Sequence, residues 1–206
     1  MALIRSPFRS TPALLRNQDV YLRLPDTSDF PIWQQLREQS RQFLQPWEPS
    51  WPADDLTRSA FRRRVRRYQQ EWREKAGYTF FIFRHEDDQL VGGVGLSNVR
   101  RGVAQSCNMG YWMGQDYAGK GLMSQAVGAV IPFVFNELRL HRIRAGCLLH
   151  NGPSIALLER HGFQREGIAR EYLCINGTWQ DHYLYALLDS DHRRGRRPEL
   201  SLVNRP

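Results

Sequence analysis

The sequence contains no apolar run near the ~18 residues needed to cross a bilayer. Its N-terminus carries Arg5, Arg9 and Arg16 with only Ala13–Leu15 as an apolar patch, too short for the core of a signal peptide. A cytoplasmic location is therefore expected. Cysteine is scarce: Cys107, Cys147 and Cys174 lie far apart, odd in number, with no C-x-x-C pair. That argues against a disulfide framework and a zinc site, and the predicted metal content is none. Each cysteine falls in an apolar, strand-like stretch and reads as a small buried hydrophobe. There is no internal repeat, low-complexity block or linker. No G-x-x-x-x-G-K-[ST] or G-x-G-x-x-G pattern occurs, which disfavours a P-loop nucleotidase and a dinucleotide-binding fold.

A core-forming globular composition is present. Of the 206 residues 41% are hydrophobic and 24% charged, which suits one domain with tails. The formal net charge is +8, from 29 Lys+Arg against 21 Asp+Glu. Such an excess favours polyanionic surroundings such as RNA, ribosomes or phosphorylated cofactors.

Along the chain, residues 1–18 read as a loose arm, 19–189 as the domain, and 190–206 as a basic, frayed tail. Val20–Leu24 alternates like a strand. Asp26–Ser28 offer caps for a helix reaching about Gln39. The segment FLQPWEPSWP, residues 43–52, has three prolines and reads as an ordered loop. Asp54 and Asp55 are placed to cap a second helix to about Lys75, with Arg62–Arg67 on its solvated side. From Tyr78 the period becomes two, giving strands YTFFIFR, LVGGVGLSNV and SCNMGYWM. The stretch Gly114–Gly121 interrupts, and a helix follows to about Glu137 with Pro132 as a kink. HRIRAGCLL is a strand, and Pro153 opens a helix ending at His161–Gly162. A short strand starts at Phe163, and YLCI and WQDHYLYALL flank an Asn-Gly hairpin turn. The predicted fold class is α+β, in the order β-α-α-β-β-β-α-β-α-β-β.

The turn between Met113 and the helix at Gly121 is the first chemical candidate. Backbone N–H groups at a helix start attract anions. Glycines 119 and 121 allow close approach of phosphate oxygens, and Lys120 adds charge. By itself a G-x-G is common in turns. The segment GYWMGQDYAGKGLMSQA, with HNGPSIALLERHGFQREG some thirty residues later, resembles the GNAT acetyltransferases. With FLQPWEP at 43–49, SNVRRG at 97–102 and EYLCINGTWQDH at 171–182, the likeness narrows to RimJ/RimL-type ribosomal-protein N-acetyltransferases, nearest the RimJ branch. It runs from about residue 17 to 189. Departures are Ala118 before the first glycine, Ser124–Gln125–Ala126 where the family often has T-E-A, and Pro132.

The resemblance implies a GNAT fold: a mostly antiparallel mixed sheet with splayed central strands. It also implies acetyl-CoA as co-substrate and a protein N-terminus as acceptor. That acceptor would be an alanine on a small-subunit ribosomal protein, with a small-molecule amine, or an acyl-CoA-binding module on ribosomes or RNA, as the alternatives. No membrane partner is expected, and the enzyme would be a monomer or homodimer. The pyrophosphate would sit on Gly119, Lys120, Gly121 and Leu122. Tyr111, Trp112 and Met113 would lie along the pantetheine arm, one of Tyr111 and Trp112 facing the core and the other the cleft. Asn151 would hydrogen-bond that arm, and Ser154 would support the departing thiolate; both also suit helix capping. Glu171 is the predicted general base. Glu48, between Trp47 and Trp51, would hold the cationic amine, and Asp181 and His182 would line the peptide channel.

Overall fold

The computed structural model describes residues 14–195. Eight strands form one sheet in the order β1-β2-β3-β4-β5-β6-β8-β7. They are β1 Leu15–Arg16, β2 Val20–Arg23, β3 Tyr78–Arg84, β4 Leu90–Arg100, β5 Ser106–Met113, β6 Arg142–Leu148, β7 Gln164–Ile175 and β8 Thr178–Leu188. Every neighbouring pair is antiparallel except β5–β6. The helices are α1 Phe30–Gln39, α2 Arg41–Leu44, α3 Arg58–Arg73, α4 Leu122–Pro132, α5 Gly152–Arg160 and α6 Asp189–Gly195.

Strand alternation distributes apolar residues to both faces, so the sheet is covered on both. On β3, Phe80 and Ile82 join a cluster with Ala126, Val127 and Val130 of α4 and Leu157 and Leu158 of α5. Phe81 and Phe83 point the other way, to Phe30, Trp33 and Leu36 of α1 and Phe61 and Val65 of α3. At the end of α4, Pro132 has no N–H to donate, and the next residues widen into a π-helical turn, Phe133–Glu137. The predicted kink is thus a change of helix type. Among the described residues no helix is long and apolar enough to cross a membrane.

Several boundaries differ from expectation. The supposed arm already contains β1, with Leu15 opposite Leu22 and Arg16 opposite Tyr21; its residues 1–13 lie outside the described residues. The tail begins as α6, and residues beyond 195 also lie outside them. The 43–52 segment is helical at its start, through α2 and a 3-10 turn at Gln45–Trp47, because Pro46 falls in a first turn where no N–H is needed. Asp54 and Asp55 do not cap α3. Thr57 does, accepting from the Ala60 N–H at 3.3 Å, while the two aspartates pair with Arg63 and Arg64. Finally, the strands expected at Phe163 and at YLCI are one strand, β7, whose register on β8 slips twice, at Arg165–Gly167 and, in a larger bulge, at Ala169–Leu173. Ala169 faces His182 and Leu173 faces Gln180, so the residues between outnumber their partner.

Candidate active site

The site begins as a fault in the sheet. β5 and β6 pair only from Ser106–Arg142 to Asn108–Arg144. β5 stays on β4 as far as Met113, and β6 stays on β8 as far as Leu148. Residues 109–113 and 145–148 therefore face each other across a gap without strand partners. Backbone donors and acceptors inside a fold need partners, and an extended, amide-bearing ligand would supply them.

At the mouth of the gap lies the glycine loop. Gly119 and Gly121 take φ of 73° and 77°, the left-handed region that disfavours any residue with a Cβ. A Cβ built on either would meet nothing within 4 Å, so the space above the loop is open. Gly121 is the N-cap of α4, and no side chain caps the helix. Its first-turn N–H groups are left for an anion. Lys120 is exposed, with Nζ 6.0 Å from the Tyr117 ring centroid, and the Arg84 guanidinium stacks on the same ring at 5.5 Å. Arg84, His85 and Lys120 line a shallow pocket of about 460 Å³ beside the loop. This cradle fits a pyrophosphate. Leu122 and Met113 can offer only backbone there, since both side chains are buried in the core.

Tyr111 and Trp112 take opposite sides. Tyr111 packs with the α4–α5 core and Trp112 with the α1–α3 core. The Tyr111 hydroxyl lies 2.7 Å from Ser154 Oγ, on the first turn of α5. Burial pushes the Tyr111 phenol up to about 12, so it stays a neutral donor at physiological pH. Cys147 of β6, in the same core cluster as Tyr111, is pushed up to about 11, again by burial. It is a thiol there rather than a thiolate nucleophile. Asn151 caps α5, its Oδ1 accepting from the Ser154 N–H at 3.1 Å. That bond fixes the turn on which Ser154 is presented.

On the Trp112 side the structure corrects the expected amine site. Glu48 does lie beside Trp51, whose Nε1 donates to it at 2.8 Å. Both carboxylate oxygens, however, are bonded by Arg37, at 2.7 and 2.6 Å. The Arg37 guanidinium stacks 4.1 Å from the Trp51 ring centroid and 5.0 Å from that of Trp112. The aromatic cage exists, but a cation of the chain's own fills it. Trp47 instead sits 5.5 Å from the His150 ring. Arg37 carried no sequence signal, since a partner eleven positions away across a proline loop has no characteristic spacing.

The β7–β8 hairpin closes this side. Its turn is tied to the 45–48 segment by the Asn176 N–H to the Glu48 carbonyl at 2.9 Å, and by Gln45 Nε2 to Asn176 Oδ1 at 3.2 Å. The β7 bulge carries Glu171 at φ 45°. Asp181 holds the bulge, accepting the Glu171 N–H at 2.8 Å. The Glu171 carboxylate is exposed and has no partner among the described residues. Tyr172, next to it, sits 5.7 Å from the His182 ring, edge to face. Gln125, one of the departures noted above, ties α4 to the β1–β2 turn: its side chain meets the Asp19 N–H at 2.7 Å and Asp19 Oδ2 at 2.6 Å. Among the described residues no group of three or more His, Cys, Asp or Glu could hold a metal ion.

A mixed sheet parted at its one parallel pair, with an uncapped glycine-flanked helix start at the opening, defines an acyltransferase of the GNAT type. Residues 19–164 match the acetyltransferase (GNAT) domain model, and the chain belongs to that family; it is an N-acetyltransferase. It is 36% identical over 178 residues to a probable N-acetyltransferase, YjcK, of Bacillus subtilis, covering 86% of this chain and 98% of the relative. It is 37% identical over 158 residues to the [ribosomal protein uS5]-alanine N-acetyltransferase of Escherichia coli, covering 77% and 81%. Among solved structures it resembles Mycobacterium smegmatis RimJ in complex with CoA-disulfide, with a TM-score of 0.79, 30% identity, and 83% and 82% of the two chains covered.

Proposed function

We propose that the protein transfers the acetyl group of acetyl-CoA to the N-terminal amine of a protein, an alanine-initiated ribosomal protein, in the cytoplasm. The observation that carries the reading is the β5–β6 gap with the Tyr111–Ser154 hydroxyl pair on one side and the hairpin cleft on the other. In this reading the glycine loop and the first turn of α4 hold the pyrophosphate. The free edges of residues 109–113 and 145–148 hold the pantetheine amides. A backbone N–H of that β5 edge would receive the thioester oxygen as charge develops on it.

The acceptor enters from the Trp112 side. An α-amino group has a pKa near ~8, so a useful fraction is neutral at pH 7. Glu171 is the free carboxylate on that rim and draws the ammonium in. Attack on the thioester carbonyl carbon breaks the C–S bond. The surplus proton of the attacking nitrogen passes to a base in the cleft and on to water. The departing sulfur takes its proton from the Tyr111–Ser154 pair, which water then restores. The acceptor preference rests on the uS5-alanine relative at 37% identity, and the exposed Arg62, Arg66 and Arg73 of α3 suit a ribosomal setting.

The test is labelled acetyl-CoA with an alanine-initiated peptide, intact small ribosomal subunits and a polyamine, read by mass spectrometry. Label on the α-amine of the peptide and of one ribosomal protein is expected. Efficient labelling of the polyamine alone would overturn the protein-acceptor reading.

A further inference from the structure

His182 is the least explained group in the cleft. It lies on β8 opposite Leu148 of β6 and is only 3% exposed. Its Nδ1 is 2.9 Å from the Gln180 carbonyl oxygen. A carbonyl oxygen can only accept, so Nδ1 carries a proton, and whenever the ring is neutral its lone pair is on Nε2. Nε2 has no hydrogen-bond partner among the described residues. Nor is it one of the fully enclosed side-chain atoms there that lack a partner, so it retains an opening. The Cδ2 edge of the ring, next to Nε2, faces β6: a Cβ on Gly146 would lie 3.9 Å from Cδ2. Gly146 belongs to the part of β6 that has left β5. Tyr172 closes over the same spot, 3.5 Å from that Cβ position. A histidine buried for packing alone would be expected to satisfy both nitrogens. This one has one nitrogen fixed and the other bare, beside the gap.

We infer that His182 Nε2 takes the proton of the acceptor amine during acetyl transfer; the inference rests on the acetyl-transfer reading above. The amine nitrogen bonds to the carbonyl carbon, and the carbon–sulfur bond breaks. The surplus N–H proton passes to Nε2, and the thiolate takes a proton from the hydroxyl pair. Water then removes the imidazolium proton and restores the hydroxyl. An imidazole, ordinarily near ~6.5, is a better match than a carboxylate near ~4 for an amine near ~8. This moves the base from Glu171, which stands in water on the rim, to the enclosed ring. The titratable and charged groups on the surrounding elements are Arg170, Glu171, Tyr172 and Asp181 on the hairpin, Arg144 on β6 and His150 just beyond it. Asp181 is engaged with the Glu171 N–H, and Arg37 and Glu48 neutralise each other.

The test compares His182→Gln and Glu171→Gln across about pH 5.5 to 9.5 with an alanine-initiated peptide. His182→Gln should lower kcat roughly 10²-fold and leave the KM for acetyl-CoA within about twofold, because no contact to the cofactor is removed. Below the pKa of both amine and base, log kcat/KM of the wild type should rise with a slope near two; in His182→Gln the slope should fall to one. Glu171→Gln should raise the peptide KM and keep the steeper slope. Wild-type kcat in His182→Gln, or an unchanged slope, overturns the assignment. A readout that needs no turnover is the nitrogen NMR of the imidazole, identified by its loss in His182→Gln. At pH 7.5 a protonated Nδ1 and a bare Nε2 are expected, and a proton on Nε2 overturns the inference. Should the wild type acetylate no such peptide, the acceptor reading falls, and the tautomer still decides the role of His182.

Discussion

The two sides of the gap are built by different means. On the proposed reading, the cofactor side is made of backbone: two glycines in left-handed conformation, an uncapped helix start and two strand edges that part from each other. The acceptor side is made of side chains that hold one another: Arg37 on Glu48, Trp51 on Glu48, Asp181 on the bulge, Gln45 on the hairpin turn. Backbone recognition tolerates most side-chain changes but not a change of conformational freedom. Side-chain networks behave the other way, since removing one member strands its partner.

The sharpest way to break the contrast is at Arg37. Its side chain is 7% exposed and that of Glu48 20%. Arg37→Met leaves a carboxylate unpaired and should cost about 3 kcal/mol of stability, at the low end for a buried pair because Glu48 is partly wetted. The shift of the urea midpoint measures it, and the double variant with Glu48→Leu should recover much of the loss.

Next in size is the hydroxyl pair. Ser154→Ala should lower kcat by about 10- to 10²-fold, with less change in KM, since the bond to sulfur strengthens in the transition state. The Tyr111 phenol is pushed up to about 12 by burial. It remains protonated below that, so ionisation of Tyr111 should impose no fall in kcat between pH 8 and 10. A fall there that Tyr111→Phe abolishes would contradict the burial argument.

A smaller effect is expected at the glycine loop. Gly119→Ala meets no clash but forces a Cβ into positive φ, so the loop must move. Acetyl-CoA affinity by calorimetry should weaken about tenfold, or ~1.4 kcal/mol. The smallest change is at the solvent edge of the acceptor side. The Arg63–Asp54 pair is 61% and 55% exposed, and Asp54→Asn should alter thermal stability by less than about 0.5 kcal/mol.

The same contrast explains what was legible in the sequence. The loop at 119–121 could be read because glycine spacing and a following helix are local patterns. Most strands and helices were read for the same reason, through their period. The β7 bulge was not, because nothing in GIAREYLC marks where its register with β8 slips. Asp54 and Asp55 look like caps from position alone; the Thr57 hydroxyl took that role two residues later. Glu48 does lie beside Trp51, but Trp47 turns to His150 and the cation on the carboxylate came from α1; a contact across a proline loop has no sequence signature. Tyr111 and Trp112 alternate on one strand, yet which side holds the hydroxyl of Ser154 depends on where α5 packs.

Hydrogen exchange, measured with acetyl-CoA alone and then with an unreactive CoA analogue and an alanine-initiated peptide, tests this division most directly. Acetyl-CoA should slow exchange at residues 109–113, 119–123 and 145–148, and leave α3 unchanged. The peptide should add protection at 45–51 and 171–182. Cofactor protection on the hairpin instead of the β5 edge and glycine loop would contradict the account.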